Sequence, residues 1–262
     1  MTEIFLAIFG LIIGSFINAA VYRVARNLPW VLERSHCVNC KHKLQPLDLV
    51  PIFSFLFLGG RCRYCQKKIS WQYPIVEVVA AIGFLIAGYS NGFSINLFLV
   101  YKLIFVSAFI FIAVYDYKHF LILDKVIMPL LIVAIAWNVG QDVNNGLGFL
   151  NLHGMFFDGL KGAVLASGFF GLQYALSKGK WIGFGDVKYG LVLGMFFGFQ
   201  MTAVCLFFAY LLGATIGSLL IIFKGKSMSS QVAFGSFLSV SGIITLGYGA
   251  QLIKWYLETV GV

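Results

Sequence analysis

The sequence predicts an all-α polytopic membrane protein of about eight transmembrane helices with a small cytoplasmic zinc-knuckle loop domain. Three observations carry this expectation. Of 262 residues, 60% are hydrophobic and only 11% charged, whereas a soluble domain is about a quarter charged. The apolar residues fall in long runs separated by short polar breaks, and a spanning helix needs about 20 such residues. The chain also holds 29 Gly, a residue more frequent in spanning helices because it lets them approach closely.

The spans are expected at 4–22, 75–90, 96–115, 126–139, 159–177, 189–199, 201–223 and 231–253. The fourth and sixth are short, as buried or re-entrant segments are. The first is read as a retained helix: Glu3 and no Lys or Arg precede its apolar run, whereas a signal peptide begins with a positive region. The chain divides into this helix (1–22), a polar loop domain (23–73) and a multi-helix membrane domain (74–262).

Lys and Arg set the orientation. Residues 23–73 hold nine of the 19 basic residues and two acids, Glu33 and Asp48. With that loop in the cytoplasm and the N-terminus outside, alternation brings 116–125, 178–188 and 224–230 inside too. The cytoplasmic side then has 16 basic residues, against three elsewhere, Lys102, Lys161 and Lys254. This is the positive-inside bias. The net charge of +9 is therefore a topology signal and the partner is the lipid bilayer, not nucleic acid.

Cys37-Val-Asn-Cys40 and Cys62-Arg-Tyr-Cys65 are separated by 21 residues. Two CxxC pairs in this arrangement predict a tetrahedral zinc site with Cys37, Cys40, Cys62 and Cys65 as ligands. Cytoplasmic thiols stay reduced, which argues against disulfides. No βαβ pattern accompanies the pairs, as a redox CxxC would require. Four thiolates leave no open position, so the zinc is structural, and it would supply the folding energy of a loop with little core. His36 and His42 are surplus to that set. Cys205 lies in an apolar run and reads as a packing residue.

Only ten acids occur in the chain, and Asp116, Asp124 and Asp186 sit at the expected cytoplasmic ends of apolar helices. A carboxylate in a span is a functional-site candidate by default. Asp116 and Asp186 fall at the same depth, where two helices of one bundle can bring them together. Paired carboxylates share a proton, one acting as acid and the other as base on a water. Asp also favours helix caps, and Asp186 reads equally as an N-cap. Gly183 and Gly185 allow a tight turn or the close approach of an extended backbone. No HExxH and no histidine-served nucleophile is present, which excludes the usual zinc, serine and cysteine peptidases. A transporter or channel subunit is the competing reading, but it calls for polar residues at the midplane of several helices.

Six blocks, in order, resemble the type IV prepilin peptidases, the GxGD aspartyl peptidases of bacterial inner membranes. They are Gly14-Ser15-Phe16-Ile17-Asn18 with Tyr22-Arg23, Gly59-Gly60-Arg61-Cys62, Tyr73-Pro74-Ile75-Val76-Glu77, Tyr115-Asp116, Gly183-Phe184-Gly185-Asp186-Val187-Lys188 and Phe234-Gly235. The resemblance implies that Asp116 and Asp186 are catalytic, with Gly183, Gly185, Asp124 and Lys188 in support. It implies that prepilins or pseudopilins, with apolar N-terminal helices, lose a basic leader at the cytoplasmic side. It further implies methylation of the new N-terminus with S-adenosylmethionine, for which Gly59, Gly60 and Glu77 are candidate contacts. Gly59 and Gly60 read equally as a turn, and Glu77 as a partner of Arg23. Leu123 stands where the family has a proline before Asp124. Ala233-Phe234-Gly235-Ser236 replaces its PFGP.

Overall fold

Glycine and alanine set the first helix pair, because they are the residues that let two backbones touch in lipid. In the computed structural model of the chain, which describes residues 1–30, 34–147, 151–224 and 232–260, α1 (Thr2–Val24) packs on α3 (Gln72–Tyr89). A side chain built at Gly10 would stand 2.7 Å from the Cα of Ala81, and one at Gly14 2.7 Å from the Cα of Glu77. The Gly10-x-x-x-Gly14 spacing thus brings α1 against the small face of α3. Asn18 closes the pair: its amide donates to the Tyr73 carbonyl (3.1 Å) and accepts from Gln72 (3.1 Å). Between these helices run a 3₁₀ turn (Pro46–Leu49) and the short α2 (Phe53–Phe57). The buried Lys102 of α4 (Leu97–His119) donates to the carbonyl (3.0 Å) and hydroxyl (3.1 Å) of Ser90. It thereby caps the C-terminus of α3. These elements form one of two compact units, Met1–Val114; the other is Tyr115–Val262.

The second unit contains the end of α4, α5 (Asp124–Asn144), α6 (Met155–Ser177), α7 (Phe184–Lys224) and α8 (Phe234–Val260). The α5 C-terminus is joined to the α6 N-terminus by Asp142, a buried acid whose carboxylate accepts the Met155 (2.7 Å) and Phe156 (2.9 Å) N–H groups. An acid is stabilising there, where unpaired N–H groups and the helix dipole converge.

The expected sixth and seventh spans lie within α7, 41 residues interrupted at Gly198, whose φ of 75° and ψ of 179° are non-helical. The contacts of α6 show that the chain reverses there. Phe184, Gly190 and Gly194 meet Tyr174, Ser167 and Ala163 in turn, so the first half runs antiparallel to α6. Beyond Gly198, Leu206 lies beside Leu165, and Tyr210 meets Phe169 and Gln173. The second half therefore runs back. Among the described residues seven helices are long and apolar enough to cross a membrane, and the reversal divides one of them into two passes. Most helices run beyond the expected limits: α5, for example, covers 124–144, not 126–139. Of the expected loop 224–230, residues 225–230, with Lys226, lie outside the described residues, as does Glu33.

The reversal rests on a conformation that L side chains rarely adopt, and a Cβ on Gly198 would also run into the Asp158 carboxylate. Gly198→Ala is expected to destabilise the protein by about 1–3 kcal/mol, measured as a lowered unfolding temperature in detergent.

Candidate active site and metal centre

The two cysteine pairs fold as the same small device twice. In the first, the Cys37 N–H donates to the His42 carbonyl (2.9 Å) and the Lys41 N–H to the Cys37 carbonyl (3.0 Å). In the second, 25 residues on, the Cys62 N–H donates to Lys67 (2.9 Å) and the Gln66 N–H to Cys62 (2.9 Å). Lys41 and Gln66 both have positive φ, 61° and 57°, and the bridges His36 to Lys43 and Arg61 to Lys68 close the hairpins. The pairs face one another. All four sulfurs lie within 4.8 Å of one another, with Cys37 and Cys65 at 3.9 Å, and none is in a disulfide. Tetrahedral zinc with bonds of about 2.3 Å places its sulfurs about 3.8 Å apart, so the cluster fits such an ion with small contraction. Burial pushes the Cys37 thiol up, but hydrogen bonds from the Cys40 and Asn39 backbone and from the Cys40 and Cys62 side chains outweigh it and hold it at about 7. A thiol so poised is readily the thiolate that a metal binds.

Gly59 and Gly60 precede the second pair with φ of 57° and 68°. The Gly60 N–H donates to the Phe55 carbonyl (2.8 Å), and a Cβ there would meet the Phe55 ring at 3.1 Å. They make the tight turn out of α2. Glu77 is buried and accepts the Ile52 N–H (2.7 Å) and a hydrogen bond from Ser15, while Arg23 donates to the Trp30 carbonyl (2.6 Å). The carboxylate holds the loop to α3.

In the second unit the end of α4 and the starts of α5, α7 and α8 come together. Asp116, one turn before the end of α4, is buried. A helix C-terminus is unfavourable for an anion, but this carboxylate reaches the N-terminus of α8. Ser236 donates to its Oδ2 through its N–H (2.9 Å) and its hydroxyl (3.5 Å). Asp186, also buried, lies in the first turn of α7. Its Oδ2 accepts the Gly183 N–H (3.2 Å), so Asp186 is the third residue of α7 reaching back to the residue before the helix, not the N-cap itself. Its Oδ1 is buried without a hydrogen-bond partner among the described residues. The two carboxylates are near enough for their charges to act on one another, and the fully buried Tyr189 feels both.

A packing wedge maintains this arrangement. Ile122, in the connection from α4 to α5, stands 3.1 Å from the Cβ position of Gly185 and 2.8 Å from that of Gly235. The Cβ position of Gly235 is in turn 2.9 Å from Asp116 Oδ2. Gly185 is thus a glycine because Ile122 occupies its side-chain space. Asp124 does not serve Asp116 directly. It pairs with Lys188 Nζ at 2.7 and 2.8 Å and ties the first turn of α5 to that of α7. Sequence reasoning missed Ile122, Ser236 and Tyr189. The substitution of serine for the last proline of PFGP was the signal for Ser236, since proline has no N–H to donate.

The wedge and the ion pair differ in their expected cost. Gly235→Ala pushes against both Asp116 and Ile122, and misplacement by about 1 Å costs about 10²-fold in rate; turnover should fall by that order in protein that still inserts in the membrane. Lys188→Ala breaks a partly exposed pair worth less than about 1 kcal/mol, so thermal unfolding should shift little.

The chain is similar to known proteins over nearly its whole length. A family described as the bacterial peptidase A24 N-terminal domain matches residues 8–90, and one described as the type IV leader peptidase family matches 103–218. A prepilin leader peptidase/N-methyltransferase of Bacillus subtilis is 32% identical over 253 residues, covering 97% of both chains. Proteins of the same name from Aeromonas salmonicida and Pseudomonas aeruginosa are 28% and 27% identical, over 97% and 96% of this chain and 93% and 92% of theirs. No solved structure matches. The chain belongs to the type IV leader peptidase family.

Proposed function

We propose that this chain is an intramembrane aspartyl endopeptidase that removes the basic leader from type IV prepilins or pseudopilins, with Asp116 and Asp186 as its catalytic pair. The observation that carries the reading is that two buried carboxylates, Asp186 beside Gly185 and Asp116 against Gly235, are gathered around Ile122, one of them with an oxygen left without a partner among the described residues. A buried polar atom without a partner is costly; a water would satisfy it, and so would a substrate carbonyl when this oxygen carries the shared proton and donates it. The pair shares one proton. The ionised carboxylate takes a proton from water as the water oxygen attacks the scissile carbonyl, and the protonated one donates to the carbonyl oxygen. Collapse of the tetrahedral intermediate breaks the C–N bond and returns a proton to the leaving amine. Ser236 and the Gly183 N–H orient the two carboxylates, and Asp124 with Lys188 braces the start of α7, which carries Asp186, against the start of α5.

The charge bias of the loops supports a cytoplasmic position for the metal loop and the aspartates, with the N-terminus outside. A prepilin would then lie with its apolar helix in the bilayer and its leader in the cytoplasm. In this reading Cys37, Cys40, Cys62 and Cys65 hold a structural zinc ion that cross-links the two hairpins. The names of the relatives support a second activity, N-methylation of the trimmed product from S-adenosylmethionine. Gly60 and Glu77 are occupied in packing the loop, so together with Gly59 they do not by themselves make a site for that molecule, and no step is assigned to them. A transporter is not favoured, since Asp116, Asp124 and Asp186 gather at one end of their helices.

Purified protein incubated with a prepilin-like substrate tests the peptidase. Asp116→Asn and Asp186→Asn should each lower cleavage by at least about 10³-fold; retained cleavage in either variant would overturn the assignment. Zinc content tests the knuckles independently: Cys37→Ser with Cys62→Ser should lose the metal, and undiminished zinc would refute the site.

A further inference from the structure

The loop between α1 and α3 contains apolar residues that nothing in its own unit covers. Phe57 is 87% exposed, and Leu47, Phe53 and Leu56 are each more than half exposed. Glu77 shows the depth at which they lie. An 18-residue helix such as α3 is about 27 Å long and needs its whole length for a hydrocarbon core of about 30 Å. Glu77 lies five residues past the first residue of α3, about 7.5 Å into that length. Its bond to the Ile52 N–H therefore draws the start of α2 below the end of the membrane helix.

The backbone there is suited to such a place. In lipid, every N–H must be satisfied within the protein. Pro51 has none, and those of Ile52, Phe53, Ser54, Leu56, Leu58, Gly59 and Gly60 all have acceptors. The Ser54 hydroxyl donates to the Leu47 carbonyl (2.7 Å). Trp71, at the start of α3, lies edge-on to Phe55 at 5.0 Å and is itself 68% exposed, the usual setting of an interfacial tryptophan. The exposed Arg61, Lys67 and Lys68 follow directly, with no acid paired to them among the described residues. They suit anionic headgroups.

We infer that residues 46–57 are a monotopic membrane anchor, dipping into one leaflet with Leu47, Phe53, Leu56 and Phe57 among the acyl chains. The occupant of this surface is lipid. The metal loop is thus fastened to the bilayer at both ends and in its middle.

The test is independent of catalysis. p-Benzoylphenylalanine is placed at Phe57, at Leu47, or at the half-exposed Ile82 of α3 as a lipid-facing reference. Each zinc-loaded protein is irradiated in phospholipid nanodiscs, and intact mass is measured. Positions 57 and 47 should each give a phospholipid adduct, in yield within about threefold of position 82. Cross-linking to a second copy of the chain, or no lipid adduct at 57 and 47 while 82 reacts, would overturn the inference.

Discussion

Charge has to be brought into a bilayer and held there, and in this protein that depends on the fit of one branched side chain between two glycines. Ile122 fills the side-chain space of Gly185 and of Gly235. Gly185 precedes Asp186, and Gly235 lies against Asp116. The wedge therefore sets the spacing of the starts of α7 and α8 against the end of α4, which together hold the two acids, while Ser236 and Gly183 fix the rotamers. The ion pair between Asp124 and Lys188 works from outside, partly exposed, and serves registration more than stability. Residues distant in sequence, from 116 to 236, converge in this one place.

The rest of the molecule solves the same problem of satisfying polar groups away from water. Asn18, Lys102, Glu77 and Asp142 are buried polar side chains, and each bonds to backbone near a helix end or in a loop. Asn138 donates to the Met195 carbonyl (2.7 Å), and the Thr202 hydroxyl donates to the Gly198 carbonyl at 2.5 Å. These groups stitch the bundle together where a soluble protein would use solvent.

Much of this was legible in the sequence. Apolar runs gave the eight passes, because a span's length is set by the bilayer. The CxxC spacing gave the four-cysteine cluster, because a tetrahedral site draws on few patterns. The scarcity of acids brought forward Asp116, Asp124 and Asp186, and only the family resemblance set the first and last apart. Contacts between helices were not legible. No local pattern marks Ile122 as a wedge, since an isoleucine in a short connection has many possible neighbours. Glu77 reads from the sequence as a contact for S-adenosylmethionine or a partner of Arg23, and the backbone N–H that it accepts, 25 residues away, has no signature in side-chain chemistry. Asp142 was passed over because capping across two helices depends on how they meet.

The reversal at Gly198 has a consequence for the lipid. The 14 residues from Phe184 to Phe197 make a helix about 21 Å long, well short of a hydrocarbon core of about 30 Å. Either the aspartate end or the turn must then be sunk below the boundary, or the leaflets must draw together around it. The side-chain bonds to the Met195 and Gly198 carbonyls equip the turn for immersion. A thinned annulus on that flank would shorten the distance between aqueous phase and carboxylates, giving a hydrolytic water a path that a full-length helix would close.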